Sequence, residues 1–208
     1  MHPPPGRVTC LAGTSRSGRG PCRQGRYRVS EVGRRPIRRR VFFALWPPEE
    51  TRRELLRATR TVVRRSGGRS APPGNLHITL AFLGPVTNAD LERVIEVPPI
   101  PSPEFPIELD RLGYWRGSRV LWLGPTRQPA ALLDLERRLW DALVAVGFER
   151  ERRPYRAHVT LARKARPVEQ AVNPVIWPVS ELALVQSRPG ARHSVYEVLR
   201  VWKFGETG

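Results

Sequence analysis

Hydrophobic and polar positions alternate in two short stretches of the chain, "NLHITLAFLG" and "RAHVTLARK". Successive side chains of a β-strand point to opposite faces, so each stretch predicts a strand with one apolar and one polar face. His77 and Thr79 share the polar face of the first strand, and His158 and Thr160 share that of the second. The leucine, isoleucine and valine side chains between them predict a face that packs on a core.

Periodicity along the rest of the chain predicts the remaining elements. A 3.6-residue period predicts helices at residues 49–65, 88–97 and 129–146. Short runs of β-forming residues predict strands at residues 41–46, 76–83, 107–114, 119–123, 157–163, 181–187 and 194–204. Each half of the chain has a long amphipathic helix, then a loop rich in proline and arginine, then a histidine-bearing strand. This repetition predicts an α+β fold of two pseudo-twofold lobes, with two antiparallel sheets lining a central cleft and the helices outside.

Composition divides the chain into two parts. The formal net charge is +17, and residues 1–40 contain eleven arginines and a single acid, Glu31. Residues 1–36 have too few apolar side chains to build a core, so they predict a disordered basic extension, and residues 37–208 predict one domain. A nucleic-acid arm, a targeting peptide and a true start further along the chain are the alternatives for the extension. The domain is itself basic, which favours an anionic partner such as RNA.

Cysteine usage and hydropathy exclude several classes of protein. Cys10 and Cys22 both lie in the extension, so no disulfide supports the domain, as expected for a reducing cytoplasm. No cysteine and histidine cluster has zinc-ligand spacing, and no apolar run reaches the roughly 18 residues that a membrane span needs. The sequence therefore predicts a cytoplasmic protein without a metal, a cofactor or a membrane partner. We expect a monomer.

The repeated histidine motif predicts chemistry at phosphorus. A single His-x-Thr on a strand is most often a surface pair, but two of the domain's three histidines stand in the same His-x-Thr-Leu setting. One imidazole can accept a proton while another donates one, and threonine hydroxyls can hydrogen-bond the non-bridging oxygens of a phosphate. No cluster of carboxylates accompanies the histidines, which argues against a two-metal site. These features favour a metal-free phosphoesterase.

The segments "RVFFALWPP", "NLHITLAFLG", "RPYRAHVTLAR" and "ELALVQSR" resemble the two-histidine (2H) phosphoesterase superfamily. Within it, residues 38–204 are similar to the LigT-like RNA 2′,3′-cyclic phosphodiesterases. The resemblance implies hydrolysis of a terminal RNA 2′,3′-cyclic phosphate to a 2′-phosphate, with a reversible 2′–5′ RNA ligation as a further possibility. It implies His77 as proton donor, His158 as proton acceptor, and Thr79 and Thr160 as their catalytic partners. The chain departs from the family pattern at Ala157, where proline is common.

Three further residues are candidates for substrate binding. Arg163 is a candidate phosphate contact, although its position in the strand pattern is equally compatible with the core side. Phe43 and Tyr155 are candidate stacking partners for a base, with core packing as the alternative. His193 is expected on the surface. Two other functions stay open: a non-catalytic RNA- or nucleotide-binding module on the same fold, and a related exonuclease or small cyclic-nucleotide phosphodiesterase.

Overall fold

The computed structural model describes residues 38–98, 100–191 and 193–205. The predicted disordered extension, residues 1–36, lies outside these ranges. The elements in chain order are β1 (Arg39–Leu45), α1 (Glu49–Ser66), β2 (Arg69–Ser70), β3 (Ile78–Val86), α2 (Asn88–Ile95), β4 (Phe105–Leu109), β5 (Arg111–Trp115), β6 (Val120–Gly124), α3 (Ala130–Ala145), β7 (Val159–Arg163), β8 (Val175–Val179), β9 (Glu181–Arg188) and β10 (Val195–Lys203). Within the described ranges, no helix is both long enough and apolar enough to cross a bilayer.

Local chemistry explains both ends of α1 and the start of α2. In α1, two glutamates occupy the first turn and two arginines the last, which matches the helix dipole. Gly67 terminates α1 in the left-handed conformation, with φ at 60°, which glycine adopts without a Cβ penalty. In α2, Thr87 and Asp90 form a capping box, since each side chain bonds the backbone N–H of the other. The predicted bounds of α1 and α3 are confirmed to within one residue, and α2 ends two residues earlier than predicted.

Antiparallel pairing builds one twisted sheet in the order β10-β9-β1-β3-β7-β6-β5, with β2 beside β7. The two motif strands, β3 and β7, meet through a single residue pair, Ile78 and Val159. From this pair the sheet separates into a first half (β10, β9, β1 and β3) and a second half (β7, β6 and β5, with β2). The units β1-α1-β3 and β6-α3-β7 repeat the same strand, helix and motif-strand order. The predicted α+β class is confirmed, and the two antiparallel sheets predicted beside the cleft are the two halves of this one sheet.

A continuous core lies behind the two motif strands. Leu76, Ile78 and Leu80 of the first motif are buried, as are Val159 and Leu161 of the second. Leucines of α1 and α3 join the same cluster. The predicted division of each motif strand into a core face and a polar face is confirmed over these positions, because burying the apolar side forces the histidines and threonines outward.

One predicted strand is two strands. The run predicted at residues 107–114 breaks at Asp110, whose Oδ1 accepts a hydrogen bond from the Thr126 N–H at 2.6 Å. Before the break, β4 pairs with β8 in a separate two-stranded ribbon, and after it β5 pairs with β6. The sequence analysis missed β8 because proline usually indicates a loop. In the ribbon, Pro106 faces Pro178. Each strand of a two-stranded ribbon has one unpaired edge, and a proline whose nitrogen faces that edge removes no hydrogen bond between the strands.

Candidate active site

The four motif side chains are arranged by the contact between β3 and β7. His77 and His158 stand immediately before these strands, and Ile78 faces Val159 in an antiparallel pair. One residue to either side, this register sets His77 opposite Thr160 and Thr79 opposite His158. The two histidines therefore occupy diagonal corners, a relation for which Cβ atoms in a regular ladder lie roughly 7–8 Å apart or somewhat less. All four side chains line the same cleft, of about 500 Å³.

Both imidazoles are held by the same backbone contact. His77 Nδ1 lies 2.7 Å from the Asn75 carbonyl oxygen, and His158 Nδ1 lies 2.9 Å from that of Arg156. A carbonyl oxygen only accepts, so each Nδ1 must carry a hydrogen and donate it. In the neutral ring this leaves the Nε2 lone pair available. His77 Nε2 lies 3.1 Å from the Thr79 hydroxyl oxygen, which ties the two residues of the first motif together.

Aromatic side chains surround His77. Trp46 stacks on the imidazole with ring centroids 5.1 Å apart and planes inclined by 9°, and Tyr196 meets it edge-on at 5.4 Å. Phe42 lies 5.1 Å away on the same face of the sheet. Burial in this surrounding, with smaller contributions from the positive charges of His158 and Arg163, lowers the pKa of His77 to about 4 against the opposing contact with the Asn75 carbonyl. Without a bound anion, His77 is therefore neutral at pH 7.

His158 has a more open surrounding. The Trp115 ring meets it edge-on with centroids 4.4 Å apart, and Trp122 approaches at 6.4 Å. Burial, and then the charge of Arg163, lower the pKa of His158. The two motifs are thus alike in backbone geometry and different in their aromatic neighbours, since only His77 is stacked face to face on an indole.

A β-bulge follows each motif and changes which later residues face the cleft. On β3, Thr79 and Ala81 pair with the neighbouring residues Ala44 and Phe43, so Leu80 is the extra residue. On β7, Leu161 is the extra residue in the same way. Strict alternation would turn the fifth residue after each histidine toward the core. Because of the bulges, these equivalent residues, Phe82 and Arg163, line the cleft instead.

The cleft is positively charged. Its lining includes the cations Arg40, Arg69, Arg163 and Lys164, and none of the described residues that line it is acidic. Phe82 is 47% exposed here, with the Arg40 guanidinium 5.4 Å above its ring. Over the described ranges, no group of three or more His, Cys, Asp or Glu side chains is placed to hold a metal ion. The site is suited to an anion that also has an apolar, planar part.

Comparison with known proteins identifies the family. The model of the 2′-5′ RNA ligase superfamily matches residues 47–191. The chain belongs to the 2′-5′ RNA ligase superfamily, whose members are two-histidine phosphoesterases. The RNA 2′,3′-cyclic phosphodiesterase of Escherichia coli (strain K12) is 33% identical over 168 residues, which are 78% of this chain and 95% of that protein. The RNA 2′,3′-cyclic phosphodiesterase of Thermus thermophilus is 31% identical over 81% of this chain and 92% of its own. The crystal structure of Escherichia coli LigT in apo form matches with a TM-score of 0.72 at 30% identity, over 81% of this chain and 98% of LigT.

Two binding candidates from the sequence lie away from the superfamily cleft. Phe43 is fully buried, and its ring packs against Trp202 with centroids 5.5 Å apart. Its place on β1 turns it toward the core, so the stacking role predicted for it is wrong, and its neighbour Phe42 lines the cleft. Tyr155 packs against the core rather than lining the cleft. Burial, and then the charge of Glu136, raise the pKa of its hydroxyl. Tyr155 therefore lies outside the cleft in which a base would stack.

Several cleft residues were missed by the sequence analysis. His193 was expected on the surface, and Trp46 and Tyr196 were not among the candidates, yet Trp46 and Tyr196 contact His77, and His193 lines the cleft. Strand pairing brings them there, because Trp46 follows β1, which pairs with β3, and His193 and Tyr196 lie far along the chain, just before and on β10. The quoted segment "RVFFALWPP" was a usable signal for Trp46, since it stands one residue beyond a strand that pairs with β3.

The departure from the superfamily pattern at residue 157 has a local explanation. The Ala157 N–H donates to Gln128 Oε1 at 2.8 Å, and Gln128 Nε2 donates to the Tyr155 carbonyl oxygen at 3.3 Å. Proline has no N–H and could not make the first of these bonds. The Gln128 amide therefore acts as a strand-like partner for the segment that leads into His158.

Proposed function

We propose that this chain is an RNA 2′,3′-cyclic phosphodiesterase that opens the terminal cyclic phosphate of RNA and leaves a 2′-phosphate. The observation that carries the proposal is the placement of His77 and His158 at diagonal corners of one basic cleft. In-line displacement at phosphorus needs a proton acceptor and a proton donor on opposite sides of the phosphorus atom. The family membership and the names of the relatives support the same reaction.

In the proposed mechanism, a water oxygen attacks phosphorus and gives its proton to Nε2 of His158. The bond between phosphorus and O3′ breaks on the opposite side, and His77 gives its Nε2 proton to the departing O3′. The products are a 2′-phosphate monoester and a free 3′-hydroxyl group. Both rings keep Nδ1–H bonded to a backbone carbonyl throughout, which fixes the direction of Nε2. The reaction needs the motifs of one chain only, and a cytoplasmic location stays a prediction.

The donor role of His77 requires help from the substrate. With a pKa of about 4 in the free protein, His77 would not hold a proton at pH 7. A cyclic phosphate is anionic, and a negative charge beside a buried imidazole favours its protonated form. We propose that substrate binding charges His77, so that the acid is formed only when the reacting phosphate is in place. The assignment of donor and acceptor rests on this step.

Charge in the transition state is proposed to be stabilised by the remaining polar side chains. Thr79 and Thr160 occupy the other two corners and can donate their hydroxyl hydrogens to non-bridging oxygens. Arg163, turned into the cleft by the bulge on β7, supplies a guanidinium whose charge acts on both histidines. Phe82 offers an exposed ring for the base of the terminal nucleotide. Escherichia coli LigT has been crystallised with 3′-AMP, which like the proposed substrate consists of a base, a ribose and a phosphate.

The test is product analysis with a defined RNA that ends in a 2′,3′-cyclic phosphate, in buffer containing EDTA. We expect a 2′-phosphate as the product. We expect His77→Ala and His158→Ala each to lower kcat by roughly a hundredfold or more, which is the contribution of general acid–base catalysis. Circular dichroism of each variant controls for folding. A 3′-phosphate product, loss of turnover in EDTA, or full activity of either variant would contradict the proposal.

A further inference from the structure

Positive side chains surround the cleft where β7 ends. Arg163 is the last residue of β7 and Lys164 follows it, and both line the cleft. Arg69 on β2 is the register partner of Arg163 and also lines it. Arg119, in the turn between β5 and β6, donates from Nη2 to the Lys164 carbonyl oxygen at 3.4 Å. We call these four residues the basic mouth.

The backbone of the basic mouth has an unusual conformation. Arg119 has φ at 52° and Lys164 has φ at 54°, and no other non-glycine residue of the described ranges has a positive φ. This conformation is unfavourable for a residue with a Cβ and recurs at functional sites. The two residues support each other, because the Ala165 N–H also donates to the Arg119 carbonyl oxygen at 2.9 Å.

The consequence is that two consecutive cations face the cleft. In an extended strand, residues 163 and 164 would point to opposite faces, and one of them would meet the core. The left-handed residue at 164 ends the strand, so Arg163 and Lys164 both line the cleft. The hydrogen bond from Arg119 reaches the carbonyl oxygen of Lys164 and not its side chain. The Lys164 ammonium makes no hydrogen bond or ion pair with the described residues. An ammonium in this position is available to a second anion.

We propose that the basic mouth is a second phosphate subsite, in which Lys164 binds the phosphodiester on the 5′ side of the terminal nucleoside. The proposal rests on the proposed function, because a nucleotide whose 2′ and 3′ oxygens hold the reacting phosphate has its next phosphate on O5′. Arg163 stays with the reacting phosphate, since its charge acts on both histidines. Two other cations line the cleft, but the Arg40 guanidinium already lies over the Phe82 ring, and Arg69 already has another interaction. The RNA body is therefore expected to leave the cleft past Lys164.

The test compares two small substrates, a nucleoside 2′,3′-cyclic phosphate with and without a phosphate on O5′. In the wild-type chain, the 5′-phosphate should lower KM about tenfold, because a charge-assisted hydrogen bond in a partly exposed site strengthens binding by about that factor. Lys164→Gln should remove this preference and leave KM for the unphosphorylated substrate unchanged. Glutamine also has a Cβ, so the backbone strain is the same in both proteins. The matched control is Lys203→Gln, at the only other lysine, which lies on β10 outside the cleft and should keep the preference.

The outcomes separate the subsite from the proposed function. A preference that persists in Lys164→Gln, or that disappears in Arg40→Gln instead, would overturn the subsite. If the wild-type chain turns over neither substrate, the proposed function fails, and labelling of the two lysines with an amine-reactive acetylating reagent still decides the subsite. A 5′-phosphorylated cyclic nucleotide that protects Lys164 but not Lys203, as measured by peptide mass spectrometry, supports it. Equal labelling of both lysines would overturn it.

Discussion

The burial of His77 predicts that acid weakens the folded protein through this imidazole. Burial holds the pKa of His77 at about 4 in the folded chain, against an ordinary value of 6.5 when the chain is unfolded. Between these pH values, the unfolded chain binds a proton that the folded chain does not bind. The free energy of unfolding therefore falls as the pH falls from 6.5 toward 4, by about 1.4 kcal/mol per pH unit. At pH 5 the two pKa values give a loss of about 2 kcal/mol relative to pH 8.

The assay is urea denaturation of the wild type and His77→Gln at pH 8, 7, 6 and 5. Glutamine is neutral at all four values, so the variant lacks this proton-linked term. Other titrating groups contribute to both proteins, including Asp90, where bonds from Thr87 and then Arg93 lower the carboxyl pKa. The difference in unfolding free energy between the two proteins should therefore shift by about 2 kcal/mol between pH 8 and pH 5. A difference that does not depend on pH would refute the argument.

NMR titration gives a direct check of the same reasoning. The chain has four histidines, so the imidazole signal of His77 can be assigned as the one that His77→Gln lacks. Its midpoint is expected near pH 4 in the free protein. Inorganic phosphate should move the midpoint upward, because a bound anion favours the imidazolium. A midpoint at or above 6.5 without phosphate, or one that phosphate does not raise, would remove the proposed charging of His77 by substrate.

The remaining predictions concern the walls of the cleft and the limits of the domain. Phe82→Leu should raise KM for RNA roughly tenfold in steady-state assays, since base stacking contributes about 1–3 kcal/mol, and an unchanged KM would contradict a stacking role. Gly113→Ala would place a Cβ 2.0 Å from the Trp122 ring, so thermal denaturation should show that the free energy of unfolding falls by about 1–3 kcal/mol. The control Gly117→Ala, whose Cβ would have nothing within 4 Å, should leave the free energy of unfolding unchanged. Deleting residues 1–36 should leave the melting temperature and turnover unchanged, and a clear fall in either would show that the extension supports the domain.

Periodicity was sufficient to predict most elements, and its failures have identifiable causes. α1 and α3 were predicted closely because a long apolar stripe repeats over several turns and tolerates a local error. β8 was missed because Pro178 looks like a strand breaker, and a two-stranded ribbon with free edges accepts it opposite Pro106 of β4. The division of residues 107–114 into β4 and β5 falls at Asp110, whose carboxylate accepts a hydrogen bond from the Thr126 N–H, a contact that no local pattern reveals.

The sequence by itself determined the chemistry of the two motifs. The parity of a strand requires that His77 and Thr79 share the polar face, and likewise His158 and Thr160, whatever the rest of the chain does. The repeated tetrapeptide also identified the family before any geometry was known. These conclusions hold because they depend on neighbours one or two residues apart.

Only the tertiary structure decided what surrounds those motifs. Phe43 and Phe42 are adjacent aromatic residues in the sequence, and only sheet pairing decides that Phe43 packs in the core while Phe42 faces the cleft. Arg163 reaches the cleft only because a bulge on β7 shifts the alternation by one residue. The depressed pKa of His77 arises first from burial, in a surrounding that includes Trp46, just beyond β1, and Tyr196 on β10. Such features depend on strand register and side-chain burial, which form only when residues far apart in the chain come into contact.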